Sequence, residues 1–369
     1  MTYLDHNATS PPLDAVVERM SGWLRTHTGN PSSIHGEGIR ARQVIDQARE
    51  EVAKLVSAKP SEVIFTSGAT EANVTAIAHL AEGSGPLVAV ATEHPAVLAP
   101  LKLPGRKVRY VSVDPRGQVD LEALERALEG ASGLLLMGAN NETGVIHDLD
   151  RVASLVERFG VPWHCDAVQL ARWAPPSFSS GYGRAISSLA LSAHKLGGPQ
   201  GVGALVVRGG AMTPLILGGG QEEGRRGGTA PVAAIGGFGL AASRAPSEVK
   251  SVSGLRDRLE AMLSELIPGL VIYGQEAPRL PNTSFVGVPL SGDWADGEWL
   301  TLGLAERGVS VSTGAACASG DAKPSHVLTA MGCDPAQAQG SLRFSLGPMT
   351  TDSDIDTAIA ALQEVLVEG

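Results

Sequence analysis

The chain has 369 residues, 43% of them hydrophobic and 18% charged, a balance that supports a large buried core and argues against disorder. Lys and Arg total 29 against 39 Asp and Glu, a formal charge of −10, which speaks against a nucleic-acid-binding surface beyond a local basic patch. No run of about 18 apolar residues occurs, and the opening MTYLDHNATS lacks a basic-then-apolar signal pattern; a cytoplasmic chain with no membrane partner is expected. The three cysteines, Cys165, Cys317 and Cys333, are an odd count without C-x-x-C spacing, so neither a disulfide framework nor a zinc site is expected.

In chain order, Gly38 to Ala58 carries apolar residues at helical spacing: Ile39, Val44, Ala48, Val52 and Leu55. VIFTSGATEAN, Val63 to Asn73, reads as a short strand, a Thr/Ser/Gly turn and the start of a helix. Apolar runs follow at Leu87–Ala91, Gly133–Met137, Val161–Cys165, Ile186–Leu191 and Val202–Val207. Charged helical stretches such as Asp120–Glu129 and Asp150–Phe159 separate several of them. Continuous apolar strands alternating with helices predict an α/β fold with a mostly parallel sheet covered by helices, and ligands beyond the strands' carboxyl ends.

The glycine-rich segment Leu217–Thr229 is too polar and too flexible for a strand or helix. Beyond about residue 245 the texture changes. Helical stretches at Ser253–Leu266 and Asp354–Val367 flank strand-like pieces at Leu270–Tyr273, Ser284–Val288 and Leu342–Ser345, predicting a smaller α+β domain. The expected division is a large domain over 15–245 and a small domain made of 1–14 and 246–369.

The residues after each strand carry the chemistry. Lys195, one of seven lysines, directly follows ISSLALSA and is flanked by His194 and Gly197-Gly198-Pro199. A lysine at a sheet's ligand edge can be desolvated, which suits it to Schiff-base formation; a surface lysine after a strand is the plain alternative. Asp166 ends VPWHCD, where a carboxylate can pair with a cationic ligand atom or a metal, or cap the next helix. A lysine and a carboxylate facing one crevice are the minimal apparatus for pyridoxal phosphate.

Gly68-Ala69-Thr70 fall at a helix start, where free N–H groups favour an anion; Ser192 and His194 can add donors. His94, after LVAVA, can stack on a ring and move protons, or stand solvated in a loop. Asn141 and Gln169 can hydrogen-bond a phenolic oxygen, or serve as turn and helix-start residues.

Cys317 lies in VSVSTGAACASGDAKPS, a run of small residues that cannot easily bury it, as an accessible nucleophile requires. Cys165 reads as structural, since alternation points it away from Asp166, and Cys333 as a helix-end or turn residue. Arg343, in SLRFSLG, can hold an α-carboxylate by a bidentate pair or form a surface salt bridge.

Taken together these segments resemble the cysteine desulfurases, within the aspartate aminotransferase-like, fold-type I group of pyridoxal phosphate enzymes. The resemblance runs through YLDHNATSPP, GNPSSIHGEG, FTSGATEAN, EH at Glu93, NNETG, HCDAVQ, SAHKLGGPQGVGAL, GGGQEEGRRGGT, STGAACASG, KPSHVLTAMG and RFSLG, in that order. It implies that Lys195 is the cofactor lysine and Asp166 the partner of the ring nitrogen, with Gln169 and Asn141 on the phenolic oxygen and His94 on the ring. It also implies Ala69, Thr70, Ser192 and His194 on the phosphate, with Thr229 reaching the phosphate of a neighbouring subunit, hence a homodimer.

Arg343 with Asn30, and Asn141 nearby, would bind the carboxylate of L-cysteine. Cys317 would accept the sulfur as a persulfide and pass it to an acceptor protein, such as an iron–sulfur scaffold or a tRNA-thiolation protein. The short Cys-Ala-Ser-Gly loop resembles the iron–sulfur assembly group. A pyridoxal phosphate-dependent C–S or C–Se lyase, like a selenocysteine lyase, and a low-turnover sulfur-transfer scaffold are the alternatives. Gly227, Gln200 and Pro348-Met349 depart from the family's usual residues, as does Cys165 where valine is frequent.

Overall fold

The structure, a computed structural model, describes residues 1–245, 249–290, 292–314 and 324–368. A two-residue strand, β1 (Thr2–Tyr3), opens the chain. Seven strands then form the main sheet: β2 (Val63–Thr66), β3 (Leu87–Val90), β4 (Val108–Val111), β5 (Gly133–Leu135), β6 (Trp163–Asp166), β7 (Ile186–Ser192) and β8 (Gly203–Val207), in the spatial order β2-β8-β7-β6-β5-β3-β4.

Pairing is parallel from β4 through β7, whereas β8 is antiparallel to both β7 and β2. β8 therefore runs against the other six strands, whose carboxyl ends meet at one edge. The expected mostly parallel sheet is present. Strands β2, β3, β5, β6 and β8 are buried at every position, as their unbroken apolar runs require.

Several elements were not among the sequence-based expectations, and three of them have a plain physical reason. Strand β4 is an edge strand whose Arg109 and Tyr110 are exposed, so it lacks the solid apolar signature of its neighbours. The helix Asp14–Thr26 buries only Val16 fully, which leaves its period faint. The glycine-rich segment holds one short 3-10 turn, Gln221–Gly224. Glu222 pins that turn, although it and Glu223 sit at left-handed φ of 49° and 60°. Its carboxylate accepts Arg49 N–H bonds at 2.7 and 2.8 Å and the Phe65 N–H at 3.0 Å, which together hold the turn in place.

A second layer of strands follows. β9 (Val271–Ile272), β10 (Thr283–Gly287) and β14 (Ser341–Ser345) make an antiparallel sheet with β10 in the middle. β11 (Pro289–Leu290) pairs with β12 (Asp293–Trp294). β13 (Val309–Ser310) pairs in parallel with β1 across most of the chain. Helices Val249–Leu266, Gly297–Glu306 and Asp352–Glu368 accompany this part, the α+β texture expected past residue 245.

On the main sheet, helix Ala69–Leu80 leaves the end of β2. Helix Gly36–Leu55 packs on helix Val232–Arg244 so closely that a Cβ added at Gly239 would stand 2.4 Å from Ala48 Cα. Glycine is thus what permits this helix contact. Gly239→Ala gains helix propensity of about 1 kcal/mol but forces backbone apart, an overpacking cost of about 1–3 kcal/mol.

Gly254, inside helix Val249–Leu266, has nothing within 4 Å of the same added atom. Thermal unfolding of the two variants should therefore move in opposite directions, Gly239→Ala melting below wild type and Gly254→Ala at or above it. A Gly239→Ala chain that melts above wild type would sink this account of the helix contact.

Candidate active site

The carboxyl ends of β2, β3, β5, β6 and β7 open onto a cavity of about 640 Å³, a size suited to a small cofactor or substrate. Its lining includes Ala69, Thr70, His94, Asn141, Asp166, Gln169, Ser192, His194, Lys195 and Arg343. Ten residues singled out in the sequence thus converge on one space.

Three others lie elsewhere or beyond description. Asn30 is exposed and away from the cavity, its Oδ1 accepting the Ser32 N–H at 2.9 Å. Thr229 is exposed in an adjoining recess that shares only Ser67 and Gly201 with the cavity. Cys317 falls outside the described residues.

Lys195 follows β7 by three residues, in a short 3-10 turn. Its Nζ donates to the carbonyls of Asn7 and Ala8, the latter at 2.7 Å. Burial, helped by the Arg343 cation, lowers its pKa to about 8, while Asp5 and Asp166 oppose the shift. The amine therefore loses its proton close to neutral pH, where an ordinary lysine stays charged.

Asp166 is the last residue of β6 and is buried. Its Oδ1 accepts the Val168 N–H at 3.1 Å, which is the local turn-capping bond. Its Oδ2 accepts from Asn73 Nδ2 at 2.7 Å. Cys165, one residue earlier, is buried in the core on the other side of the strand, where burial raises its thiol pKa well above the usual range. Cys333 is half-buried in the turn between helices His326–Ala330 and Pro335–Gln339.

At the opposite end of the cavity, helix Ala69–Leu80 begins behind Gly68 with no side-chain cap. Its first helical amide bond is that of Ala72 to the Gly68 carbonyl, which leaves the N–H groups of the first turn to face the cavity. Close approach of β8 shapes this corner: a Cβ on Gly203 would lie 2.7 Å from the Gly68 backbone.

His194 shares its Nδ1 with Thr9 Oγ1 at 3.1 Å, and burial beside Lys195 lowers its pKa to about 4. His94 caps helix Pro95–Leu101 through Nδ1, accepting the Ala96 N–H at 3.0 Å. Its ring is open to the cavity. Loss of surrounding bulk water, together with Lys195 and His326, lowers its pKa against the pull of Asp166.

Arg343 projects from β14, where a backbone bridge ties it to Ser312. Its guanidinium donates to Asp5 Oδ1 at 2.8 Å and to the Asn141 carbonyl at 3.1 Å, while its Nε is buried without a partner. Gln169 donates from Nε2 to the Asn7 carbonyl at 3.0 Å.

Several residues that order this site were missed in the sequence. Asn7 and Asp5 lie in the quoted YLDHNATSPP segment, and Asn73 in FTSGATEAN, but single polar residues in turns give no periodic signal. Glu93 is buried, and burial beside Asp166 raises its pKa to about 8, against the Met137 N–H bond to its Oε1. Glu142 accepts from Ser325 Oγ and is also raised by burial.

The donor set fits pyridoxal phosphate: an amine of lowered pKa, a buried carboxylate, an imidazole at the mouth and an uncapped helix start surround a cavity of about 640 Å³. The fit rests on the observed donors and the Gly203 cradle.

Comparison with known proteins adds to this geometry. The family model of aminotransferase class-V matches residues 2–357. A cysteine desulfurase of Trichormus azollae is 40% identical over 376 residues, covering 99% of this chain and 92% of the relative. A NifS-like protein from Rickettsia africae superposes with a TM-score of 0.89 at 31% identity, covering 99% of each chain. A structure of SspA in complex with cysteine superposes with a TM-score of 0.83 at 32% identity, over 95% of this chain and all of that one.

The lowered lysine is directly measurable. After reductive methylation with ¹³C-formaldehyde, the Lys195 resonance should titrate near pH 8 in the cofactor-free chain, while exposed lysines titrate near pH ~10.4. A Lys195 signal that moves only with the exposed group would refute the desolvated-amine assignment.

Proposed function

Because the chain belongs to the aminotransferase class-V family and aligns end to end with cysteine desulfurases, we propose its function from that premise: it is a cysteine desulfurase, converting L-cysteine to L-alanine and taking the sulfur onto Cys317. One observation carries the reading. Lys195 and Asp166 face one cavity together with a helix start that offers free N–H groups.

Pyridoxal phosphate, when bound, supplies an aldehyde for the substrate amine and a protonated ring that draws electrons from the α-carbon. The N–H groups of Ala69 and Thr70, the Thr70 hydroxyl, Ser192 and His194 would bind its phosphate. Asp166 would hold a proton on the ring nitrogen. Gln169 and Asn141 would contact the phenolic oxygen, and His94 would cover the ring face.

Lys195, with its pKa near 8, has enough neutral amine at neutral pH to act as a nucleophile and then as the base that removes the substrate α-proton. Arg343 would bind the substrate carboxylate. Its partner Asp5 fixes the guanidinium plane. Asn30 would assist from outside the single-chain cavity.

The Cys317 thiolate attacks the substrate sulfur, the carbon–sulfur bond breaks, and the α-carbon skeleton leaves as alanine after taking up protons. The product on the protein is a Cys317 persulfide. The run of small residues around Cys317 supports an accessible thiol, which a direct elimination would not need.

We also infer a cytoplasmic homodimer in which Thr229 completes the phosphate site of the neighbouring copy. Its exposure outside its own cavity supports this. The persulfide would pass to an acceptor protein of iron–sulfur or thio-cofactor assembly. Among the described residues no helix is long and apolar enough to cross a membrane.

Alanine and sulfide release from L-cysteine with added thiol tests the reading. Wild type should form both, and Cys317→Ala and Lys195→Ala should each lose turnover by about 10² or more. The Cys317→Ala protein should keep the yellow colour of bound cofactor. Sulfide release by Cys317→Ala at the wild-type rate would replace the persulfide route with a direct lyase.

A further inference from the structure

From Asp166 a chain of polar side chains leads into the core, beginning at Asn73, which borders the same cavity. Asn73 is fully buried, His164 is 1% exposed and Ser188 is buried beside it. Ser188 Oγ lies 2.8 Å from His164 Nδ1, His164 Nε2 lies 2.9 Å from Asn73 Oδ1, and Asn73 Nδ2 lies 2.7 Å from Asp166 Oδ2.

The proton positions follow from the end of the chain. A carboxylate only accepts, so Asn73 must turn its amide NH₂ to Asp166 and its carbonyl to His164. His164 then carries its proton on Nε2, and Nδ1 accepts from the Ser188 hydroxyl. Every donor points the same way, Ser188 to His164 to Asn73 to Asp166.

Burial holds His164 neutral by lowering its pKa to about 4, in spite of the nearby Asp166 charge and a contact with the Ser188 backbone, both of which act to raise it. The imidazole is therefore a fixed dipole over the working range of pH, and it does not add a second charge that would compete with Lys195.

Such a chain is costly in a core unless each group is bonded, and each here is. Three apolar side chains would fill the same space without that requirement. What the polar set adds is aligned donors that polarise one another and end on one oxygen of one carboxylate. Outer partners of this kind fix the orientation and charge of the group that meets the ligand.

We propose that Asn73 and His164, with Ser188 behind them, are positioning residues that fix the rotamer of Asp166 and hold it ionised toward the ring nitrogen of the cofactor. The proposal rests on the reading of Asp166 given under Proposed function. It assigns the relay to the protonation of the bound cofactor and no direct contact with the substrate.

The test compares purified holoenzymes of wild type, Asp166→Asn, Asn73→Ala, His164→Phe and His164→Gln. The readouts are the pyridoxal phosphate dissociation constant and the pH dependence of the visible absorption of the bound cofactor. Glutamine can donate to Asn73 and accept from Ser188, so His164→Gln keeps the relay while removing the ring.

Asn73→Ala should bind the cofactor about tenfold or more weakly, the loss of one hydrogen bond to a charged group, and His164→Phe, which leaves the Asn73 amide free to turn, should weaken it in the same direction. Their absorption profile should shift in the same direction as that of Asp166→Asn, and His164→Gln should return to the wild-type profile. If Asp166→Asn shifts the profile while Asn73→Ala and His164→Phe do not, the relay is core packing and the proposal is wrong.

If wild type takes up no pyridoxal phosphate, or Asp166→Asn leaves its absorption unchanged, the underlying reading of Asp166 fails instead. The relay is then judged on the cofactor-free chain by ¹⁵N resonances of the His164 ring. An Nε2–H tautomer that stays neutral down to about pH 4 upholds the hydrogen-bond order. An Nδ1–H tautomer, or titration near the ordinary histidine value, overturns it.

Discussion

Asn7 is the residue on which both halves of the structure close. Its carbonyl receives Lys195 Nζ and Gln169 Nε2 from the main sheet. Its side chain donates to the Asn141 carbonyl and to Thr283 Oγ1, and accepts from Asn282 Nδ2 at 2.9 Å. Its own N–H donates to Ser345 Oγ on β14. One buried asparagine thus satisfies the lysine, orders Asn141 and joins the three-stranded sheet to the seven-stranded one. Removing its side chain would delete three buried hydrogen bonds, each worth about 0.5–1.5 kcal/mol net.

The charges of the cavity are arranged with similar economy. Arg343 is matched by Asp5, and Lys195 stands between Asp5 and Asp166 without a direct carboxylate bond of its own. The imidazoles around it are held neutral: burial takes His6 and His194 to about 4, and His94 is lowered as well. The corner at the Ala69 helix start consequently offers N–H and O–H donors in place of cationic side chains. An anion can bind there while Lys195 remains free to lose its proton.

Much of this was legible in the sequence, for a physical reason. A parallel sheet buried on both faces needs unbroken apolar strands, and its ligand edge is fixed by strand direction, so Lys195, Asp166 and His94 could be located from where apolar runs stop. The helix start at Ala69 was marked by glycine and threonine in the same way. Strand β4 escaped because an edge strand with Arg109 and Tyr110 outward has no such run. The pinned turn at Glu222 escaped because its order comes from Arg49, far away in sequence. Asn7, Asp5 and Asn73 escaped for the same cause: their importance lies in partners more than 90 residues distant, which no local pattern encodes. Asn30 and Thr229 were placed by resemblance alone, and neither lines the cavity of a single chain.

The pairing of residues 5 and 7 with residues 343 and 345 also sets a timetable. On a ribosome the segment around Asn7 emerges first and must wait for its β14 partners until some 340 further residues have been added. The main sheet can assemble in the meantime, since all its strands lie between Val63 and Val207. During that interval Asp5 lacks its arginine and Asn7 its anchor on β14, so the pocket around the lysine is not finished before the last strand is made. Synthesis order thereby acts as a safety catch: a truncated product would carry the sheet without a completed catalytic centre.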